Sequence, residues 1–385
     1  MKTTSFILLF LVYLSPLFNV LLTIPIAILA LFRLSNVTPY IIASTFALLS
    51  LFLQVPDDWD LHRHIELYST YQNSYTESTY IGLNLVFSVF NWANINKIFI
   101  PFSSAFILYF YLSKIALLAI SYKDFKKTYK RFVLLLFLMS VPIILFTGLR
   151  FSTALALFSY GLLIQNKKKF FYLIAACIFH YAFLLPLSIW VLVNTINLKK
   201  INRNLVWPIA ILSLLIGFSS GFIVHLLEMT LSYLSISNLL NVNKIDVYIS
   251  GQWGSQYNEQ LNESGMLIFN IRLLLFIGIG FLFINDYKRI NNKSTIITFC
   301  YFMLIICFTL SSLADIFVRY SYLVLILIMY YSILRETTKS HTLKLINILL
   351  PIYIIYQQLY YGFFAMRTVI SNSFSNILSL SYFNL

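Results

Sequence analysis

Residues 146–183 form an almost wholly apolar stretch that nevertheless contains Arg150 and His180. A guanidinium binds phosphate oxygens through two parallel hydrogen bonds and keeps its charge at every physiological pH. An imidazole accepts a proton near neutral pH. Together these two residue types favour chemistry on a phosphorylated substrate, with one electrostatic and one acid–base component.

Both residues also have a structural interpretation. An arginine at the end of a membrane helix can extend its guanidinium to the lipid headgroups, although intramembrane arginines usually face a cavity and mark a functional site. A single histidine in an apolar run usually forms a hydrogen bond to a backbone carbonyl. The occurrence of Arg150 and His180 in neighbouring segments favours the functional interpretation.

Further arginines lie in or beside apolar segments. Arg272 lies within an apolar run, about two turns from its start. Asp315 and Arg319 are four residues apart, so they either neutralise each other on one helix face or form an anion clamp in which the carboxylate orients the guanidinium. Arg63 belongs to a polar cluster near the N-terminus.

That cluster spans residues 57–66 and is the densest group of charges in the chain. Its members are Asp57, Asp58, Asp60, His62, Arg63, His64 and Glu66. A solvated loop is the simplest interpretation. Two histidines beside three aspartates resemble metal ligands, but their spacing fits no known cage, so we expect neither a metal nor a cofactor.

The composition indicates a membrane protein. Of 385 residues, 60% are hydrophobic and 10% are charged, whereas soluble domains carry about 25% charged residues. The three cysteines lie in apolar runs without ligand spacing, which predicts neither a disulfide framework nor a structural metal. The N-terminus lacks a small-x-small cleavage motif, so we interpret it as the first membrane span and not as a signal peptide.

The predicted fold is all-α: a single polytopic membrane domain over residues 1–385 with about 11–12 transmembrane helices, some of them short or hairpin-like. A span needs about 20 apolar residues. The apolar runs that meet or approach this length are 6–31, 39–55, 98–121, 132–147, 150–166, 170–196, 207–234, 266–284, 295–313, 319–334 and 345–366.

The net charge of +14 is concentrated in short basic clusters between these runs. The clusters lie at 123–131, 166–169, 199–203, 286–293 and 335–344. This is the pattern of cytoplasmic loops in membrane proteins, and it argues against nucleic acid as a partner.

With every cluster in the cytoplasm, the run 170–196 must enter the membrane and return, turning near residues 180–186. The pair 132–147 and 150–166 has the same shape and turns at 148–150. Irregular backbone at this depth is tolerated only where it lines a cavity or is buried in protein. Arg150 and His180 are therefore expected to point toward the same, non-cytoplasmic side.

Two sizeable loops are predicted on that side, at residues 56–97 and 236–265. The second is polar and contains Trp253 and Tyr257, whose rings are suited to stacking on sugars.

At this point the chain resembles the EpsG family of Wzy-type O-antigen and exopolysaccharide polymerases. The resemblance rests mainly on "GLRFSTALALFSYGLL" and "ACIFHYAFLLPLSIW", which begin at residues 148 and 176. The early loop with Asp57, Asp60, Arg63 and Tyr68 and the later "RYSYLV" at 319–324 add to it. The motifs cover some 50 residues, and the rest of the chain is similar in hydropathy.

The resemblance implies an enzyme of the bacterial inner membrane that joins undecaprenyl-pyrophosphate-linked repeat units at the periplasmic face. Under it His180 is the expected base, and Arg150 and Arg319 are expected to stabilise the departing pyrophosphate. The expected substrate-binding residues are Asp57, Asp60, Arg63, Arg272, Asp315, Trp253 and Tyr257. Membrane lipid and a chain-length regulator protein are the other expected partners.

Two further functions remain open. A polyprenyl-phosphate-sugar-dependent glycosyltransferase would use an acidic residue of the first loop as its base. A flippase for lipid-linked oligosaccharides would show two related halves or regular spans, and no such halves are evident.

Overall fold

A computed structural model shows an all-α protein. It describes residues 2–53, 60–73, 81–122, 124–142, 144–145, 149–196, 202–219, 225, 229, 263–290, 293–335 and 340–375, and within these ranges there is no strand. The α-helices are α1 (Lys2–Leu14), α2 (Thr23–Arg33), α3 (Thr38–Ser50), α4 (Asp60–Asn73), α5 (Ile81–Trp92), α6 (Ile100–Ser121), α7 (Lys127–Met139), α8 (Leu149–Leu163), α9 (Lys169–Phe179), α10 (Leu184–Thr195), α11 (Val206–Phe218), α12 (Glu263–Arg289), α13 (Thr295–Thr309), α14 (Ala314–Leu334), α15 (His341–Gln357) and α16 (Phe363–Ser375).

The prediction of a polytopic all-α membrane protein is confirmed. Within the described ranges, three helical segments are long and apolar enough to cross a membrane: Lys97–Ser121, Gly265–Arg289 and Ala314–Leu334. Nine shorter apolar helical segments accompany them in the same ranges. The predicted loop 236–265 lies outside the described residues except for its last three, which begin α12.

The chain divides into two compact units. The first comprises Met1–Leu187 and Ile354–Leu385, and the second comprises Ser188–Tyr353. The chain passes from one unit to the other within α10 and again within α15.

In the first unit, α6 lies between α3 and α8, and α8 also packs against α9. The N-terminal run 6–31 is not one span. It breaks after Leu14, and α1 and α2 pack on each other and on α3. The Tyr13 hydroxyl lies 2.8 Å from that of Ser44, and the Thr45 hydroxyl donates to the Thr23 carbonyl at 3.5 Å. The facing ends of α1 and α2 therefore lie at the same level of α3.

The run 132–147 and its neighbour 150–166 form the separate helices α7 and α8, as expected. The last carbonyls of a helix need partners outside it, and here Gln358 supplies one. Its Nε2 donates to the carbonyls of Met139 and Val141, at 2.7 and 3.2 Å. Gln358 begins a five-residue π-helical turn, Gln358–Gly362, which joins α15 to α16.

The predicted first loop, 56–97, contains two helices, α4 and α5. Tyr68 of α4 is buried against the rings of Phe87 and Phe90 on α5, with centroids 5.1 and 6.3 Å away. Its hydroxyl donates to the Ile95 carbonyl at 3.2 Å. α4 therefore has an apolar face and packs on the protein, which a freely solvated loop would not.

In the second unit, α14 is the central helix. Its residues from Tyr320 to Ile333 are continuously buried, as expected for a helix surrounded by protein. α11 packs closely on α13: a Cβ at Gly217 would lie 1.9 Å from the Phe308 carbonyl oxygen, so only glycine fits there.

The ends of α12, α14 and α15 meet at Asp286. This buried carboxylate accepts hydrogen bonds from Arg335 at 3.0 Å, from Ser340 at 3.1 Å and from the Tyr331 hydroxyl. All four residues lie in or beside predicted cytoplasmic clusters. The network satisfies a charge that would otherwise be costly to bury.

Candidate active site

The first turn of α8 holds Arg150 and is attached to α6. The Ser104 and Ser152 hydroxyls lie 2.6 Å apart, and each lies 3.4 Å from the Leu149 carbonyl. Because all of these groups are buried, they fix the direction in which α8 begins. Arg150 itself is 5% exposed.

Arg150 lies at the end of α8 remote from the basic cluster. α8 has 15 residues, and a helix rises 1.5 Å per residue, so its ends are separated by about 22 Å. Lys167 and Lys168 are exposed just beyond the other end. Arg150 therefore belongs to the opposite end of the first unit from these lysines.

His180 ends α9. Its backbone is extended, with φ −148° and ψ 112°, and the 3-10 turn Tyr181–Phe183 follows before α10 begins. The Ala182 backbone N–H donates to His180 Nδ1 at 3.2 Å. In a neutral ring whose Nδ1 accepts a hydrogen bond, the proton is on Nε2. His180 therefore presents a donor, and not an acceptor, at Nε2.

The structure brings Arg150 and His180 to the same end of the first unit. The ring of Phe151, the residue after Arg150, meets the His180 ring edge to face with centroids 5.7 Å apart. Phe183 of the 3-10 turn also packs on Phe151, at 5.6 Å. The first turn of α8 and the break after α9 therefore lie side by side in the first unit.

α5 supports the end of α9 from another side. A Cβ built at Gly82 would lie 2.6 Å from Phe179 Cα, which is closer than real Cβ contacts come. The backbone of α5 thus touches the backbone of the residue before His180, and only glycine permits this approach.

α4 adds His64 to this group of residues. The His64 side chain has no exposed surface, and neither ring nitrogen has a hydrogen-bond partner among the described residues. α4 packs on α8. Burial, and next the charge of Arg150, lower the pKa of His64 from 6.5 to about 4; Asp60 opposes this shift and Arg63 adds to it. His64 is therefore a neutral imidazole near Arg150.

His64 was not among the site residues predicted from the sequence. The density of charges at 57–66 suggested a solvated loop and drew attention away from the helical spacing of the residues that are buried there. Leu61, His64 and Tyr68 are spaced three and four residues apart and are all buried, which is the spacing of one helix face. That periodicity was the available signal.

Of the other predicted residues in the first loop, Asp60 and Arg63 form an ion pair with each other on the outer side of α4, where Arg63 is exposed. Asp57 lies outside the described residues, as do Trp253 and Tyr257.

Three of the predicted residues that the structure describes belong to the second unit, and two of them form a pair. Arg319 donates to Asp315 through Nε at 3.1 Å and is within 2.9 Å of its second oxygen through Nη2. This two-point contact leaves one edge of the guanidinium directed away from the carboxylate. The pairing is the one that the four-residue spacing predicted.

Arg272, in α12, is buried among hydroxyls and rings. Its Nε donates to the Tyr353 hydroxyl at 2.7 Å, and its guanidinium carbon lies 4.9 Å from the centre of the Tyr322 ring. These contacts hold the cation in the interior of the second unit.

The comparison with known families decides the classification. The sequence model of the EpsG family matches residues 36–383, nearly the whole chain. The chain belongs to the EpsG family. No curated protein matches it, and no solved structure does.

Membership of the EpsG family suggests a polysaccharide polymerase-like, glycosyltransferase-type membrane enzyme whose substrate is a lipid-linked glycan. In this EpsG-family protein, the motif block at 149–183 forms α8, α9 and the start of α10. The block that carried the resemblance is therefore the one that places Arg150 next to the helix break at His180.

Proposed function

We propose that this EpsG-family protein joins undecaprenyl-pyrophosphate-linked oligosaccharide repeat units into an O-antigen or capsule-type polysaccharide at the periplasmic face of the bacterial inner membrane. The observation that carries the proposal is the buried Arg150, fixed beside the break at His180. A permanent cation at an interior helix end suits a substrate with a diphosphate.

The reaction transfers the growing glycan from its lipid diphosphate to a hydroxyl of the next repeat unit. The hydroxyl oxygen bonds to the anomeric carbon, the bond from that carbon to the diphosphate breaks, and the diphosphate leaves with the electron pair. Negative charge thus develops on the leaving group, and Arg150 stabilises it. A fixed donor of this kind contributes roughly 100- to 1000-fold in rate.

His180 is proposed to act on the same departing diphosphate. Because its Nδ1 accepts the Ala182 N–H, the proton of the neutral ring is on Nε2, and we assign this Nε2–H as a donor to the departing phosphate oxygen. This assignment replaces the role of base that was expected from the sequence.

Arg319 and Arg272 are proposed to bind the second lipid diphosphate or its glycan. Asp315 holds Arg319 in a fixed orientation through Nε and Nη2, and an oriented guanidinium is suited to an anion. Asp57, Asp60, Arg63, Trp253 and Tyr257 remain proposed contacts for the glycans, and a chain-length regulator protein remains a proposed partner.

The distribution of charge supports the periplasmic part of the proposal. The exposed lysines at 167 and 168 lie at the end of α8 away from Arg150, and basic clusters mark the cytoplasmic side. We therefore propose that Arg150 and His180 face the opposite side.

The test is the surface polysaccharide of a deletion strain, separated on a gel after complementation. Wild type should restore a ladder of chain lengths. With Arg150→Ala or His180→Asn at normal protein levels, only single repeat units should appear. Lys167→Ala, at the other end of α8, is the matched control and should restore the ladder.

Two results would contradict the proposal. A deletion strain with an unchanged ladder would make the protein a modifier of the polysaccharide. A deletion strain that lacks even single units would indicate a flippase or a transferase that builds the unit.

A further inference from the structure

His64 is a buried polar group whose hydrogen-bonding capacity is unused. A neutral imidazole carries one donor nitrogen and one acceptor nitrogen, and both are unpartnered here among the described residues. Buried polar groups are nearly always hydrogen-bonded because an unmet donor or acceptor costs free energy. Such an exception calls for a ligand that offers both an acceptor and a donor.

Burial, and next the charge of Arg150, lower the pKa of His64 and keep the ring neutral. Arg150 faces it from α8, and Asp60 and Arg63 act on it from its own helix. α5, which also packs on α4, carries no charged residue. Lys97, in the 3-10 turn before α6, binds the Ser69 hydroxyl at 3.2 Å, more than one turn farther along α4. An unprotonated ring is the form that a base requires.

We propose that His64 is the catalytic base of the transfer: one ring nitrogen takes the proton of the attacking sugar hydroxyl while the other donates to the donor diphosphate bound by Arg150. This inference rests on the proposed function. It accounts for both unpartnered nitrogens, since the hydroxyl supplies the donor and the phosphate oxygen supplies the acceptor.

The step is balanced without any further reactant. The hydroxyl proton moves to His64 as its oxygen bonds to the anomeric carbon, and the diphosphate leaves with the electrons of the broken bond. The imidazolium then releases its proton to solvent or to the departing diphosphate. No oxidant, reductant or nucleotide takes part.

The arrangement makes the base dependent on the donor substrate. Burial, and next the charge of Arg150, weaken His64 as a base. A bound diphosphate offsets that charge, so the basicity of His64 rises when the donor is in place. Donor binding near pH 6 should therefore be accompanied by proton uptake at His64.

Access to His64 follows from the way α4 is held. Tyr68, one turn after His64, is anchored between Phe87 and Phe90 of α5. α4 also packs on α8. Because His64 is fully buried, substrate reaches it only when α4 moves away from α8.

The experiment compares His64→Asn and His64→Ala with wild type in proteoliposomes that contain the full chain. The substrate is the lipid-linked repeat unit extracted from the deletion strain. Turnover should fall by roughly 100- to 10,000-fold in both variants, while binding of inorganic pyrophosphate changes only a few-fold. Added imidazole should restore part of the turnover of His64→Ala, because it replaces the missing base.

His62→Asn is the matched control, on the same helix and partly exposed, and should retain turnover. Calorimetry of pyrophosphate binding at pH 6, in buffers of different ionisation enthalpy, should show proton uptake in wild type and in His62→Asn but not in His64→Asn.

Each outcome decides the question. Full turnover by His64→Asn overturns the assignment of the base and leaves the proposed function intact. Loss of turnover together with loss of pyrophosphate binding or of folded protein makes His64 structural and also overturns it. Failure of the wild-type protein to extend the glycan overturns the proposed function and this inference together.

Discussion

The rings of Phe151 and His180 meet edge to face, with centroids 5.7 Å apart. Aromatic rings favour this arrangement because a positive ring edge meets a negative ring face. Phe151 follows Arg150 on α8, and His180 ends α9. The contact therefore fixes the distance between a buried cation and a helix break, and several measurable consequences follow from this geometry.

Replacement of His180 should separate its structural role from its chemical one. Asparagine is among the best residues at a helix N-terminus, so His180→Asn can accept the Ala182 N–H as histidine does and should keep the stability of the wild type. It removes the Nε2–H, so polymerisation should fall by roughly 100-fold or more.

His180→Ala loses the cap as well, which should lower the free energy of unfolding by roughly 1 kcal/mol. Thermal unfolding in detergent and the polysaccharide ladder measure the two effects. Equal activity of wild type and a well-folded His180→Asn would show that His180 only caps the turn.

Gly82 should tolerate no side chain. Gly82→Ala places a Cβ 2.6 Å from Phe179 Cα, so α5 must move away from the residue that precedes His180. Overpacking of this kind costs roughly 1–3 kcal/mol, and the ladder should shorten as well because the break at His180 shifts.

Gly278→Ala is the control, because its Cβ would lie 4.0 Å from Leu349 Cδ1. Alanine is the better helix former there and should change stability by no more than about 1 kcal/mol, in the favourable direction. If Gly82→Ala and Gly278→Ala both unfold at the wild-type temperature, α5 does not pack on α9 as closely as described here.

Asp315 and Arg319 should differ in their effects on function if Arg319 binds an anion. Asp315→Asn removes the charge that orients the guanidinium but keeps the guanidinium itself, so polymerisation should decrease modestly. Arg319→Lys replaces a planar fork by a point charge and should decrease it far more. The rate of ladder formation, with protein levels matched, measures both.

The double variant completes the test. If the ion pair is purely structural, Asp315→Asn and Arg319→Lys should lower the rate of ladder formation equally. The double variant should then lower it no further than either single variant. That equality would remove Arg319 from the proposed site.

The sequence predicted those features that depend on residues close together in the chain. Hydropathy predicted a polytopic all-α membrane protein. The basic clusters indicated a turn within 170–196 but left open whether this run is one helix or two, and the structure shows two, α9 and α10. The sequence did not predict contacts between residues that are far apart in the chain. His64 and Arg150 are distant in sequence, and nothing in the local pattern shows that α4 docks on α8. Likewise, Gln358 bonds the carbonyl of Met139 across 219 residues.

The Asp286 network should contribute to stability and not to chemistry. Asp286→Ala leaves Arg335, Ser340 and the Tyr331 hydroxyl without their common acceptor. Breaking a buried pair costs roughly 3–5 kcal/mol, and partial exposure of Arg335 reduces this to roughly 2–3 kcal/mol. The unfolding temperature should fall, and the folded fraction should still make a ladder. Loss of the ladder at normal folded levels would place Asp286 in the function.

Docking of α4 on α8 should depend on pH through His64. When α4 is docked, burial and Arg150 hold the pKa of His64 at about 4; when α4 is undocked, it returns to about 6.5. The undocked form therefore binds more protons between these two values. Docking should be constant above about pH 6.5 and weaken as the pH falls toward about 4.

Hydrogen exchange of the α4 amides, corrected for the intrinsic effect of pH, measures this directly. Exchange should quicken between pH 6.5 and pH 4.5 in wild type and in His62→Asn, since His62 is partly exposed. It should be independent of pH in His64→Asn, which has no ring to protonate. Exchange that quickens equally in His64→Asn would mean that another group controls the docking of α4 and that His64 is not held neutral beside Arg150.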